Sequence, residues 1–199
     1  YEDHPAGFRA EQLYINDYHV RAAAYWSLLA GSHGHTYGCH AIWQFWDPEA
    51  GRGQINHPRL RWQESLELPG VRQMGIVRWL IESRPYFTRI PDQSLVRSGQ
   101  TFGQNHARAG RDGTRGQADA SYLMIYFAAP RELLIDTGKL AGDTVRGRWV
   151  SPATGEVTDM GTFARQATQA FRPPEDGIDR DWLLVLDDAI RGYGAPGKR

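Results

Sequence analysis

Glu2, Asp3 and His4 stand together just before Pro5, and further along His33, His35, Tyr37 and His40 lead into Trp43, Phe45 and Trp46. A carboxylate beside an imidazole has the makings of general acid–base chemistry, and carboxylates that close a barrel strand are commonly catalytic. The same cluster also suits a solvated loop, and composition does not separate the two. The three imidazoles His33, His35 and His40 raise a metal site. In a strand from His35 to Trp43 alternate side chains share a face, so Thr36, Gly38, His40 and Ile42 point one way and His35, Tyr37, Cys39, Ala41 and Trp43 the other. His40 then turns away from His33 and His35, and no carboxylate completes a recognised ligand spacing, so hydrogen-bonding histidines are expected and a metal is not. Trp43, Phe45 and Trp46, followed by Asp47 and Pro48, make an aromatic wall that is either a binding platform or the lid of a core.

The elements that position these groups are a helix, a glycine turn and a strand within Asn16 to Trp46. Asn16 or Asp17 caps the helix. Val20, Ala23, Ala24 and Leu28, with Trp26 on the flank, give it an apolar stripe at helical spacing. Gly31 and Gly34 end it, and the residues from His35 to Trp43 read as a buried strand, the punctuation of an α/β unit. The loop before this unit carries Phe8, Leu13 and Tyr14 and is expected to be packed. Residues 48 to 64 form a long loop rich in Gly, Arg and Pro, of a length that is usually functional. A second helix runs from Pro69 and Gly70 to about Ser83 on Val71, Met74, Val77, Trp79, Leu80 and Ile81, and Pro85 stops it. Tyr86 to Asp92 is an extended connector, because each proline disfavours helix in its predecessor.

Beyond the connector the pattern changes. Residues 121–127, 133–136, 144–150 and 181–186 are short β-type runs divided by turns, which argues for an antiparallel sandwich. Residues 108–116 resemble a phosphate loop only superficially, since no helix follows to receive an anion; they are expected to form a flexible hairpin loop. Residues 192–199 read as a frayed tail.

Composition limits the partners. Among 199 residues, 23 basic and 23 acidic side chains cancel, so nucleic acid and anionic membranes have no electrostatic support. No apolar run is long enough for a membrane span. The lone Cys39 excludes an internal disulfide and argues against a structural zinc. Seven Trp and nine Tyr are many for a polar chain; most are expected in the core, and exposed indoles suit the flat faces of sugar rings. Residue 1 is Tyr and the sequence opens in mid-motif, which predicts a longer polypeptide whose missing N-terminal part carries an export signal.

Tyr1-Glu2, the helix with its Ala22-Ala23-Ala24-Tyr25-Trp26-Ser27-Leu28-Leu29-Ala30-Gly31 core, Gly34-His35-Thr36-Tyr37-Gly38, Ile42-Trp43, and Pro69-Gly70 with Met74 resemble the apiosidase-like glycoside hydrolase family. Residues 148–156 and 181–186 resemble the module that usually follows it, whose family label is collagen-binding. The resemblance implies the C-terminal fragment of a (β/α)8 TIM barrel over residues 1–93, an antiparallel β-sandwich over 94–191 and a tail over 192–199. It implies hydrolysis of an oligo- or polysaccharide, without cofactor, in a secreted or periplasmic bacterial protein. Two carboxyl groups are required, one protonating the leaving oxygen and one attacking or activating water. Glu2 is the one candidate in the chain, and the second acid lies in the missing part. His35, Tyr37, His40, Trp43 and Trp46 then shape the sugar subsite, or else pack the end of the strand. Two other readings stand beside the enzyme: a carbohydrate- or matrix-binding β-module, and a β-module that only buttresses the barrel. Burial of Trp149 and Trp182 between sheets would favour the buttress, and convergence of Glu2, His35, Tyr37 and Trp43 on one cleft would favour the enzyme.

Overall fold

The computed structural model describes residues 1–7, 9–98 and 102–197, the side chain of residue 104 excepted. Helix α1 (Asp17–Leu29) starts where Asn16 accepts a hydrogen bond from the His19 amide, while the His19 ring accepts from the Asn16 amide. Gly31, at φ 100, turns the chain out of it. Val20, Ala24, Tyr25, Leu28 and Leu29 are buried along it, whereas Ala23 faces solvent.

The strand expected from His35 to Trp43 does not form. The chain stays extended only as far as Cys39, which makes a single parallel bridge with Glu2, and then winds into the one-turn helix α2 (His40–Trp43). The bridge is a pair of hydrogen bonds, from the Glu2 amide to Gly38 O at 2.8 Å and from the His40 amide to Glu2 O at 3.4 Å. With no further ladder on that side, the following amides bond locally instead, Trp43 to Cys39 O and Trp46 to Ala41 O. The expected alternation of faces therefore holds only up to Cys39.

The loop at 48–64 is more ordered than its composition suggests. It contains a 3₁₀ turn at Pro48–Ala50 and the short helix α3 (Trp62–Ser65). Helix α4 (Pro69–Glu82) has Pro69 in its first turn and buries Gly70, Gln73, Val77, Leu80 and Ile81, while Val71 and Trp79 fall off the stripe and are exposed. Leu13 is exposed too, against the expectation that its loop is packed; Phe8 lies outside the described residues.

The rest of the chain is antiparallel β. Strands β1 (Ile90–Pro91), β2 (Arg108–Arg111), β3 (Tyr122–Phe127), β4 (Leu133–Ile135), β5 (Thr144–Val150), β6 (Val157–Ala164), β7 (Gln169–Phe171) and β8 (Trp182–Asp188) form two sheets. One has six strands in the order β1-β2-β3-β8-β5-β6; the other pairs β4 with β7. Residues 108–111, expected in a flexible loop, are a largely buried strand. Residues 192–197 are tied down as well: Arg148 donates to Tyr193 O, Arg84 to Gly194 O, and the Tyr193 hydroxyl meets that of Ser121.

Apart from its mostly exposed edge strand β6, the six-stranded sheet is covered on both faces. On one side Leu123, Ile125, Phe127, Val145, Trp149, Trp182, Leu184 and Leu186 pack with Leu133, Ile135 and Phe171 of the small sheet. On the other, Tyr122, Met124, Tyr126, Val150, Leu183 and Val185 pack against Ala24, Tyr25, Leu28 and Leu29 of α1 and Val77, Leu80 and Ile81 of α4. Two-sided burial explains why β3 and β8 are buried at every position rather than alternating. Trp149 and Trp182 are core residues, edge-on at 6.4 Å, and not a binding surface. Polar ties reinforce the seam: Tyr18 donates to Ala128 O, Trp26 to His106 O, and Tyr122 to Pro85 O, each at 2.8 Å.

Candidate active site

The parallel bridge sets two faces. Glu2 and Cys39 share one, with Tyr37 two residues before Cys39; Tyr1 and His40 share the other. On the first face the Tyr37 hydroxyl donates to Glu2 Oε2 at 2.6 Å, and the Gly70 amide in the first turn of α4 donates to the same carboxyl. Glu2 is buried at 3 % exposure. Burial raises its pKa above the usual carboxylate value, against the Tyr37 hydrogen bond, and Asp17 adds to the rise. Burial and the neighbouring Glu2 push the Tyr37 phenol up in turn.

Gly70 is where this face is tightest. A Cβ there would overlap Glu2 Oε2 and lie 3.0 Å from the Tyr37 ring, both held in place. A Cβ on Gly38 would also overlap a neighbour, the ring of Tyr1, but that ring is 63 % exposed and free to swing outward. Gly70→Ala is therefore expected to cost about 1–3 kcal/mol and Gly38→Ala less than about 1 kcal/mol, as measured by urea unfolding of the two variants.

On the second face the His40 ring lies 4.9 Å from Tyr1, 4.6 Å from His4 and 5.7 Å from Trp43, centroid to centroid. Burial, with His4 adding to it, pushes its pKa down to about 4, so the ring is neutral near pH 7. Burial also lowers the pKa of His4, whose Nδ1 lies 2.9 Å from Pro5 O. Trp43 is half exposed beside this group. Asp3, at φ 54, turns into the following loop, where its carboxylate accepts from the amides of Arg59 and Leu60 and from Arg59 Nε at 2.8 Å.

The six residues nominated from sequence do not gather in one cleft. Glu2 and Tyr37 touch, and Tyr37 and the exposed His35 line a hollow of about 310 Å³ between α1 and α4, floored by Leu28, Met74, Val77 and Ile81. His40 and Trp43 belong to the opposite face. Trp46 is half-buried and joins Trp62 through its backbone, its carbonyl accepting from the Trp62 amide. The sequence singles out His4 beside Glu2 and Asp3, and Tyr1 and Gly70 through the resemblance, without nominating any of them for the site; in the structure Tyr1 and His4 complete the His40 group and Gly70 seats Glu2. Pro69 signalled the last, by marking the start of the helix whose amide reaches the carboxyl.

Among the described residues no group of three or more His, Cys, Asp or Glu is placed to hold a metal ion, and no helix is long and apolar enough to cross a membrane. The arrangement offers a buried, hydrogen-bonded carboxyl and, on the opposite face, the buried imidazoles of His4 and His40 packed beneath the exposed rings of Tyr1 and Trp43.

Residues 1–88 match the family described as "Apiosidase-like, catalytic domain", and residues 90–187 the family described as "Putative collagen-binding domain of a collagenase". A solved structure described as a glycoside hydrolase is 31 % identical, with a TM-score of 0.88 over 98 % of this chain and 42 % of its own. A crystal structure of a glycoside hydrolase family 5 protein from Bacteroides vulgatus is also 31 % identical, with a TM-score of 0.88 over 98 % of this chain and 41 % of its own. This chain thus spans well under half the length of these relatives. No curated protein matches it.

Proposed function

We propose that this chain is the C-terminal portion of an exported glycoside hydrolase, because residues 1–88 match the apiosidase-like catalytic-domain family and residues 90–187 the family described as a collagen-binding domain of a collagenase. It acts on plant or microbial polysaccharide, and its first part closes a (β/α)8 barrel. What carries the reading is the match across both segments to solved glycoside hydrolases more than twice as long.

In this reading the face of Tyr1, His4, His40 and Trp43 lies toward the sugar. The exposed rings of Tyr1 and Trp43 stack on a sugar, with the buried imidazoles of His4 and His40 packed beneath them to hold that surface in place. Glu2 was the acid nominated from sequence, but its burial beneath α4 suits a positioning residue, fixing Tyr37 and the strand pair that bears His40. The two reacting carboxyl groups then come from the part of the relatives' length that this chain does not span. The β-module is a buttress. Its tryptophans Trp149 and Trp182 are spent in the core and one sheet face is covered by α1 and α4, which leaves the matrix-binding reading only the exposed edge strand β6 on that sheet.

The test is hydrolysis of aryl glycosides and plant polysaccharides by this chain and by a polypeptide extended to the relatives' full length. The extended protein should turn over and this chain should not; equal activity, or none in either, contradicts the proposal. In the extended protein Glu2→Gln should lower kcat about ten- to a hundredfold if Glu2 positions. A loss of roughly a thousandfold or more would make it a reacting acid.

A further inference from the structure

We propose that Asn56 is a specificity-determining residue of the sugar subsite, its carboxamide oxygen accepting from a hydroxyl at the edge of the ring that stacks on Tyr1 and Trp43. This rests on the glycoside hydrolase reading above. Among the described residues the Asn56 side chain makes one hydrogen bond, Nδ2 donating to His40 Nδ1 at 3.4 Å. The His40 ring is the one on which both exposed aromatics pack, Tyr1 at 4.9 Å and Trp43 at 5.7 Å. With Nδ2 turned to His40 and the residue only half-buried, Oδ1 is left as an acceptor at the border of the Tyr1 and Trp43 surface.

The loop's own construction does not call for that carboxamide. Gln44 accepts from the Ile55 amide at 2.8 Å and donates to Ile55 O at 2.9 Å and to His40 O at 2.8 Å, which pins the residue before Asn56 to α2. On the other side Tyr14 donates to His57 O at 2.9 Å, and Asp3 accepts from the amides of Arg59 and Leu60. Asn56 itself stands at φ 59, a left-handed conformation that asparagine tolerates and glycine adopts freely. The turn therefore fixes where the carboxamide sits, yet glycine would serve the turn equally well.

The surroundings select the ligand. Burial keeps His4 and His40 neutral near pH 7, and Asp3 is paired with Arg59, so the side chains gathered at His40 carry no unpaired charge to draw an ion. A neutral acceptor at the rim of two exposed rings suits a hydroxyl whose own ring lies on the aromatic faces, the pattern of an uncharged sugar. One fixed acceptor separates sugars that differ in the direction of a single hydroxyl, because the epimer that turns it away leaves the acceptor unpaired.

The experiment titrates this chain with the methyl glycosides of xylose, glucose, galactose and mannose, following the Trp43 indole and Asn56 carboxamide resonances in nitrogen–proton NMR spectra. At least one sugar should move both resonances, and the chain should separate the best from the worst by about fivefold. Asn56→Gly should keep the parent's unfolding midpoint, bind the best sugar about fivefold more weakly and lose the separation. Asn56→Asp retains an acceptor oxygen and should bind that sugar within about twofold of the parent. Its carboxylate should also move the His40 titration upward from about 4. The assignment is overturned if no sugar moves the Asn56 resonance, if Asn56→Gly binds and discriminates as the parent does, or if Asn56→Asp loses the sugar or leaves the His40 titration unmoved. Hydrolysis by the extended protein without a shift at Asn56 would sink this assignment alone. A shift at Asn56 without hydrolysis would sink the enzyme reading and leave a sugar-binding surface.

Discussion

Asp187→Ala should destabilise the chain by about 3–5 kcal/mol, the largest effect expected of any single substitution considered. Asp187 lies in β8 and is all but inaccessible. Its two oxygens accept from Arg84 Nε and Nη2 at 2.7 Å each, and Oδ2 also accepts from Arg148 Nη1 at 2.9 Å. Arg84 follows α4, Arg148 lies in β5, and both are buried, so two guanidinium groups taken from water share one carboxylate. Alanine leaves both without a counter-charge. The Tyr193 ring, 4.7 Å from Arg84, and the Gly194 carbonyl recover little of the loss. Urea unfolding measures it. Because the desolvation of all three charges is removed together, Asp187→Leu combined with Arg84→Met and Arg148→Met should recover most of the stability. A loss below about 1 kcal/mol for Asp187→Ala would show that the cluster is solvated.

Arg21→Met should come next, at about 3 kcal/mol near neutral pH. Arg21 is buried in α1 and binds Asp181 through Nε at 2.9 and 3.0 Å, Asp17 through Nη1 at 2.6 Å, and Gln73 of α4 at 3.1 Å. Asp181 also accepts from Tyr126 at 2.8 Å, and Tyr126 is stacked on Tyr25 of α1 at 4.8 Å. Burial already raises the Asp181 pKa in spite of Arg21. A buried acid with a raised pKa binds more protons folded than unfolded, so the stability tied to it is fully present below the unfolded value and lost as pH rises from there through the folded one. Removing Arg21 removes the main influence opposing that rise. The gap between Arg21→Met and the parent should therefore be widest near pH 7 and narrow as pH falls, while Asp181 takes up its proton. Parallel stability curves from pH 7 to pH 4 would contradict this.

Both clusters illustrate what the sequence revealed and what it hid. Helices α1 and α4 and strands β3, β5 and β8 were legible, because their apolar spacing and their Asn16, Pro69 and Pro85 signals are local. That Arg21 and Arg84 are interior was not legible: an arginine on a helix reads as solvated until its acid, more than a hundred residues away, is placed against it. The reach of the His35 strand was misjudged because Ile42 and Trp43 favour strands, whereas after Cys39 the backbone finds no ladder to join. β6 escaped notice because it is a mostly exposed edge strand, polar along Thr158 and Asp159 and broken by Gly161. The candidate site was half legible. Residue types nominated Glu2, Tyr37, His40 and Trp43, but the side of the strand pair each occupies depends on a register that one bridge decides.

Helices α1 and α4 and the β-module share one core, the second steadying the first. Scanning calorimetry of this chain tests it most directly. A single transition is expected, with calorimetric and van't Hoff enthalpies in agreement, shifted as a whole by Asp187→Ala. Two separable transitions, with Asp187→Ala moving only the one that belongs to the β-module, would contradict it.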